Sequence, residues 1–200
     1  MNKVFDEIQD FFGIPVPPVS ENCSLEQKLS RNELKLLIPE KRQAFFGHKA
    51  VILNQPTEEG SVSHIVMVTM PVTSRMCEGH MPGYPILPLA IGGWMLSQAG
   101  EIAVAYAHLH NGGVSDLEAY IPLVVETGPV KSKNRDFFVP GEVILAVARI
   151  RKHRFMMYEL DTEAWLDGQK VVEVPGMTYA CLPWSKFIER YTNGRKQLVA

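Results

Sequence analysis

The residues best arranged for chemistry lie in the run Glu78-Gly79-His80-Met81-Pro82-Gly83-Tyr84-Pro85-Ile86-Leu87-Pro88. It sets one histidine in a turn of glycines and prolines, ahead of Leu89-Ala90-Ile91-Gly92-Gly93-Trp94-Met95-Leu96-Ser97-Gln98-Ala99-Gly100, which reads as the opening of a long apolar helix. An imidazole titrates close to neutrality and so handles protons well. Pro88 suits the first helical turn, where a missing N–H costs nothing. The first amides of a helix have no intrahelical acceptor, so the start near Leu89 and Ala90 offers free N–H groups. A rigid histidine beside free amides can move a proton while a carbonyl is polarised. The plainer role for His80 is a turn residue that bonds backbone.

The other five histidines are less well placed. His48 and His64 fall on strand candidates, His108 and His110 end the long helix, and His153 lies in a charged run. All five read as structural or solvated. His108 and His110 are two apart and do not share a helical face, which argues against a metal pair.

Gly79-His80-x-Pro82-Gly83-x-Pro85-x-x-Pro88, followed by a helix carrying Gln98, resembles the signature of the β-hydroxyacyl-acyl-carrier-protein dehydratases. The resemblance spans roughly Pro39 to Leu182. Lys131-Ser132-Lys133-Asn134-Arg135, ending in Val139-Pro140-Gly141-Glu142, looks like the family's basic segment. Leu166-Asp167-Gly168-Gln169-Lys170-Val171-Val172 with Met177-Thr178-Tyr179-Ala180 looks like its closing hairpin. The resemblance implies an α+β hotdog fold, an antiparallel sheet wrapped around one long apolar helix. It implies a homodimer, possibly of higher order, with the acyl site between two subunits. The implied substrate is an acyl thioester on acyl-carrier protein or coenzyme A, with no cofactor and no metal. The implied roles are His80 as general base, Gly83, Leu89 and Ala90 as carbonyl-binding backbone, Tyr84, Pro88, Trp94 and Gln98 along the substrate, and Lys131, Lys133 and Arg135 as carrier dock. The run Arg149-Arg151-Lys152-Arg154 is a second candidate dock.

Two positions depart from the family pattern. Leu89 stands where the family has glycine; its amide survives, but its side chain narrows the approach. Trp94 stands where the family has a glutamate or aspartate, which in the dimer reaches the histidine of the other subunit. An indole cannot protonate a leaving hydroxide, and loss of a positioned general acid costs about 10²–10⁴ in rate. Glu101 is two turns along the helix, about 10 Å down its axis, too far to substitute. Glu78, two residues before His80, can orient or charge the imidazole, and spacing does not favour Asp116, Glu118 or Tyr84. Trp94 reads more simply as core filling or a wall of the acyl channel, and Met70, Met76, Met81 and Met95 as adaptable lining. Three functions follow: a 3-hydroxyacyl-thioester dehydratase of fatty-acyl metabolism, a non-catalytic acyl-thioester-binding protein, and an acyl thioesterase.

The elements that position these residues come in a simple order. Residues 1–40 form an N-terminal helical extension, 41–183 the hotdog domain, and 184–200 a C-terminal helix and tail. Val4, Phe5, Ile8, Phe11 and Phe12 recur at helical spacing up to Gly13. Ile14-Pro15-Val16-Pro17-Pro18-Val19 must be extended. Ser24-Leu25-Glu26-Gln27 and Ser30-Arg31-Asn32-Glu33 both have capping-box form and predict two helical turns. Strands are predicted at Lys49–Asn54, Ser61–Met70, Ala119–Glu126, Glu142–Ile150, Tyr158–Leu166 and Lys170–Cys181, with a tight turn at Asp167-Gly168. The helix from Leu89 to Ala107 is apolar all round and so needs a sheet wrapped about it. With 200 residues, 46% hydrophobic, 21% charged and a formal net charge of −2, the chain suits one soluble domain. Nothing in that charge suggests nucleic acid or a membrane surface as partner. Cys23, Cys77 and Cys181 form no CxxC pair and read as reduced thiols, consistent with a cytoplasmic protein. The N-terminus lacks the apolar run of a signal peptide.

Overall fold

The computed structural model describes residues 2–38, 45–57, 60–111, 120–132, 138–183 and 185. Helix α1 (Lys3–Phe12) opens the chain, with the Asn2 side chain accepting from the amides of Val4 and Phe5 and with Gly13 closing it. Strand β1 (Ser24–Ser30), helix α2 (Arg31–Leu37), strands β2 (Gly47–Thr57) and β3 (Gly60–Thr69), and short helix α3 (Ser74–Cys77) follow. Long helix α4 (Leu89–Asn111) precedes β4 (Tyr120–Glu126), β5 (Lys131–Ser132), β6 (Leu145–Arg154), β7 (Met157–Leu166) and β8 (Gln169–Pro183). Among the described residues the strands form one antiparallel sheet in the order β1-β2-β3-β6-β7-β8-β4, with β5 also on β8.

One capping box forms as expected and the other does not. At Ser30 the side chain meets the Glu33 amide while the Glu33 carboxylate accepts from the Ser30 amide at 2.7 Å, so α2 begins there. At Ser24 the same pattern lies in a strand. Leu25, Gln27 and Leu29 point inward and the segment pairs with β2 from Ser24↔Asn54 to Ser30↔Lys49. The capping pattern is local, whereas the ladder along β2 satisfies backbone groups over the whole segment, and the ladder wins. The extension therefore holds two helices with an edge strand between them.

The sheet is apolar on both faces. Ala50, Ile52, Ile65, Met67, Ala146 and Ala148 face α4 in the main core. Val51, Leu53, Val66, Val68, Leu145 and Val147 face outward and are covered by Ile8, Phe12 and Val16 of the N-terminal segment. Helix α4 is buried from Gln98 to His108 and packs against β3, β4, β6, β7 and β8. Gly100 admits Tyr179 against the helix: a Cβ there would stand 2.1 Å from the tyrosine hydroxyl, which donates to the Ser97 carbonyl at 3.2 Å. Asp167 and Gly168 both have positive φ, 50° and 75°, the conformation a two-residue hairpin turn demands. Among the described residues no helix is long and apolar enough to cross a membrane.

Candidate active site

The histidine loop runs from the end of β3 to the start of α4. Thr73 caps α3, its hydroxyl accepting from the Met76 amide at 3.3 Å. Gly79 and Gly83 then take φ of 76° and 80°, a region that side chains strain, so the chain reverses twice in five residues. The His80 amide donates to Cys77 O, Tyr84 N to Met81 O and Ile86 N to Tyr84 O. Leu87 N donates to Phe138 O at 2.8 Å, tying the loop to the body.

His80 is exposed, and its Nδ1 lies 3.2 Å from the carbonyl oxygen of Ile86. A carbonyl can only accept, so Nδ1 carries the proton and Nε2 presents a lone pair. The backbone contact expected of a plain turn histidine thus also fixes the tautomer of a base. Glu78 follows α3 on the surface, and the Nδ1 partner is a carbonyl instead of that carboxylate.

Pro88 O accepts from Ile91 N at 3.0 Å and Gly92 N at 3.2 Å, so the helix turns over Pro88. Leu89 and Ala90 are the positions whose amides that turn leaves without an acceptor, and both residues are exposed. The Leu89 side chain is 64% exposed. An apolar cavity of about 50 Å³ opens beside it. Gly92, Gly93 and Leu96 form its helix side; Phe138 and Val174 face them. Pro88 and Leu89, both expected at the site, also line it, and sequence reasoning missed the rest. Its one local signal was the Gly92-Gly93 pair, where an added Cβ at Gly93 would meet open space; Val172 and Val174 come from β8 and Val130 from the segment between β4 and β5, all distant in sequence.

Trp94 is 42% exposed and stands edge-on to Phe46, ring centroids 5.7 Å apart. One helical turn later Gln98, fully buried, accepts from the Phe46 amide at 2.9 Å. The two side chains together pin Phe46, which gives Gln98 a structural task inside the core. Tyr84, at 71% exposure, lies at the surface of the loop. Glu101 is buried and accepts from the Ser97 hydroxyl at 3.1 Å, away from the helix start. Of the basic residues, Lys131 is exposed on β5 and lies 3.8 Å from Glu173; Lys133 and Arg135 lie outside the described residues, as do Asp116 and Glu118. In the second basic run Arg149 pairs with Glu163, Arg151 with Asp161 and Lys152 with Glu159, so much of its charge is met on the sheet itself. The segment expected to form a C-terminal helix lies, Ser185 apart, outside the described residues. No group of three metal-ligating side chains occurs among the described residues.

In structure the chain resembles the dehydratase heterocomplex ApeI:P from Xenorhabdus doucetiae, with a TM-score of 0.59 at 10% identity, covering 79% of this chain and 96% of that one. It also resembles a thioesterase-superfamily member from Thermus thermophilus, TM-score 0.50 at 17% identity over 66% of this chain and 90% of that one. The fold is the hotdog fold. In sequence the chain is 27% identical over 96 residues to the 3-hydroxyacyl-[acyl-carrier-protein] dehydratase FabZ of Nitratidesulfovibrio vulgaris strain DP4, which is 48% of this chain and 58% of that protein. It is 25% identical over 124 residues to FabZ of Campylobacter curvus, 62% of this chain and 82% of the relative. Its likeness is to the FabZ-like dehydratases. The chain spans about three-fifths of the length of the first of these relatives. No family model matches it.

Proposed function

We propose that the protein binds 3-hydroxyacyl thioesters and removes water from them in a dehydratase reaction, with His80 as the base. The observation that carries this reading is the His80–Ile86 contact, which leaves Nε2 with its lone pair free on an exposed loop directly before an open helix start. Nε2 takes the proton α to the carbonyl. The thioester oxygen accepts from the amides of Leu89 and Ala90, which stabilise the developing enolate. The acyl chain enters the cavity bounded by Gly92, Gly93 and Phe138. Departure of the hydroxyl needs a proton, and Trp94 cannot give one. The reaction is therefore slow, or the acid comes from elsewhere in the assembly. The exposed apolar side chains of Met81, Tyr84, Leu89 and Trp94 around this opening suit a partner subunit, and a homodimer closes the site.

Trp94 itself favours a second reading: a non-catalytic hotdog protein that holds acyl thioesters, with the indole walling the channel. A thioesterase, with His80 activating water at the same carbonyl, uses the same geometry. Hydration of crotonyl-coenzyme A by the wild type, His80→Ala and Trp94→Glu separates the three. The dehydratase reading expects measurable wild-type hydration, lost in His80→Ala, and a gain of about 10²-fold or more in Trp94→Glu. Equal inactivity of wild type and His80→Ala, with activity only in Trp94→Glu, establishes the binding protein. Release of free coenzyme A that depends on His80 establishes the thioesterase.

A further inference from the structure

A second cavity lies on the other side of the sheet, under the extended segment that follows α1. It measures about 200 Å³, room for several waters or one small organic molecule. Pro17, Pro18 and Val19 roof it, Leu53, Val66 and Val147 floor it, and Ser20, Cys23, Gln55, His64 and Arg149 bring polar atoms to its wall.

The polar groups are built in by strand register. His64 on β3 stands directly opposite Arg149 on β6. His64 is 93% buried, 7% of its surface remaining, and its Nε2 lies 2.6 Å from Gln55 Oε1. With an amide oxygen there, Nε2 carries the proton and Nδ1 is left as an acceptor. Nδ1 has no protein partner among the described residues. A buried polar atom without a partner costs about 1–3 kcal/mol, so a nearby empty volume is a natural place for its partner. Burial and the charge of Arg149 hold this imidazole neutral, at a pKa of about 4. Arg149 reaches Glu163 with one nitrogen at 2.5 Å, and Glu163 is shared with Lys170 at 2.8 Å. The guanidinium carries five N–H donors in all, more than one contact with Glu163 uses, and its side chain is 32% exposed.

A neutral imidazole acceptor beside a guanidinium donor, in a small chamber with apolar floor and roof, selects a specific chemistry. We propose that this cavity binds a small hydroxycarboxylate, its carboxylate on Arg149 and its hydroxyl donating to Nδ1 of His64. The site is separate from the helix start, since the sheet stands between His64 and α4, and it does not rest on the reading of His80.

The test is titration of the full chain with 3-hydroxybutyrate and with butyrate, followed by NMR and calorimetry, near neutral pH in a carboxylate-free buffer. The hydroxy acid is expected to bind about tenfold tighter than butyrate, the difference expected of one hydrogen bond to a buried acceptor. Arg149→Lys, which keeps the charge beside Glu163 but loses the planar fork, weakens both acids. His64→Leu removes the preference between them. Thermal unfolding of each variant shows that it is folded. His80→Ala leaves binding unchanged. No binding of either acid at millimolar concentration overturns the proposal and leaves a chamber filled by water alone. Equal affinity for the two acids, or binding retained in both cavity variants, overturns it because the hydroxyl is then not read by His64 or the acid sits elsewhere. Binding lost in His80→Ala also overturns it, because the acid then sits at the helix start.

Discussion

The buried His64 makes the stability of this protein depend on pH in a way that can be calculated before it is measured. In the unfolded chain the imidazole titrates at its ordinary 6.5; in the folded protein burial and Arg149 hold it at about 4. Folding therefore demands a neutral His64. The contribution is fully present above about pH 6.5 and is lost as the pH falls toward about 4, because the unfolded chain takes up the proton first. At about pH 5 the unfolded side chain is mostly charged and the folded one mostly neutral. The gap of about 1.5 pH units at about 1.4 kcal/mol each gives a loss of about 2 kcal/mol relative to pH 7.5. For a chain of this size that is a fall of about 4–8 °C in Tm. Other groups titrate too: His108 is pushed down by burial and by His153, and it has its own acid sensitivity. The measurement is accordingly a difference, urea unfolding of the wild type and of His64→Leu followed by circular dichroism from pH 7.5 to 5. The wild type should lose about 2 kcal/mol more than the variant over that range. Parallel pH profiles for the two proteins would refute the reasoning, since they would mean that His64 is protonated in the fold or open to water.

Two further predictions concern packing and turn chemistry. Gly100→Ala forces a methyl to within 2.1 Å of the Tyr179 hydroxyl and 2.4 Å of Cζ, against a ring with no exposed surface. Overpacking of about 1–3 kcal/mol plus the lost bond to Ser97, about 1 kcal/mol, outweighs the helix gain of alanine over glycine, about 1 kcal/mol, so a net loss of about 1–3 kcal/mol is expected by thermal unfolding. Gly168→Ala places a side chain at a φ of 75° in the Asp167-Gly168 turn and should cost about 1–2 kcal/mol without altering hydration activity; an unchanged Tm would mean the turn relaxes.

How far these features were legible in the sequence depends on how local their causes are. Helix α4 shows because no face of it is polar, and the Asp167-Gly168 hairpin shows because two consecutive positive φ values leave few residue choices. The Gly79-His80 loop shows because its prolines and glycines are themselves the structure. By contrast, Ser24-Gln27 and Ser30-Glu33 carry the same capping pattern, and only the neighbouring β2 decides that the first becomes a strand. The outer face of the sheet was half legible: the amphipathic spacing of Val4, Phe5, Ile8, Phe11 and Phe12 asks for apolar surface to cover, but does not say which. His64, Val66 and Val68 alternate correctly, yet nothing in the alternation says that Ile8, Phe12 and Val16 come back to cover them. At the site the histidine and the helix start were readable, while the role of Gln98 as the acceptor for Phe46 depends on a contact 52 residues away.

The N-terminal helix and its proline-rich sequel also set the directions in which the protein can be built upon. With α1 seated on Val51, Leu53, Val66 and Val68, the broad side of the sheet is already occupied by the chain's own residues. Stacking of two sheets back to back, which apolar broad faces invite, is thereby forestalled. Contact between copies is thereby directed to parts that the N-terminal segment leaves uncovered, among them the edge strand β4 and the exposed apolar side chains of Met81, Tyr84, Leu89 and Trp94.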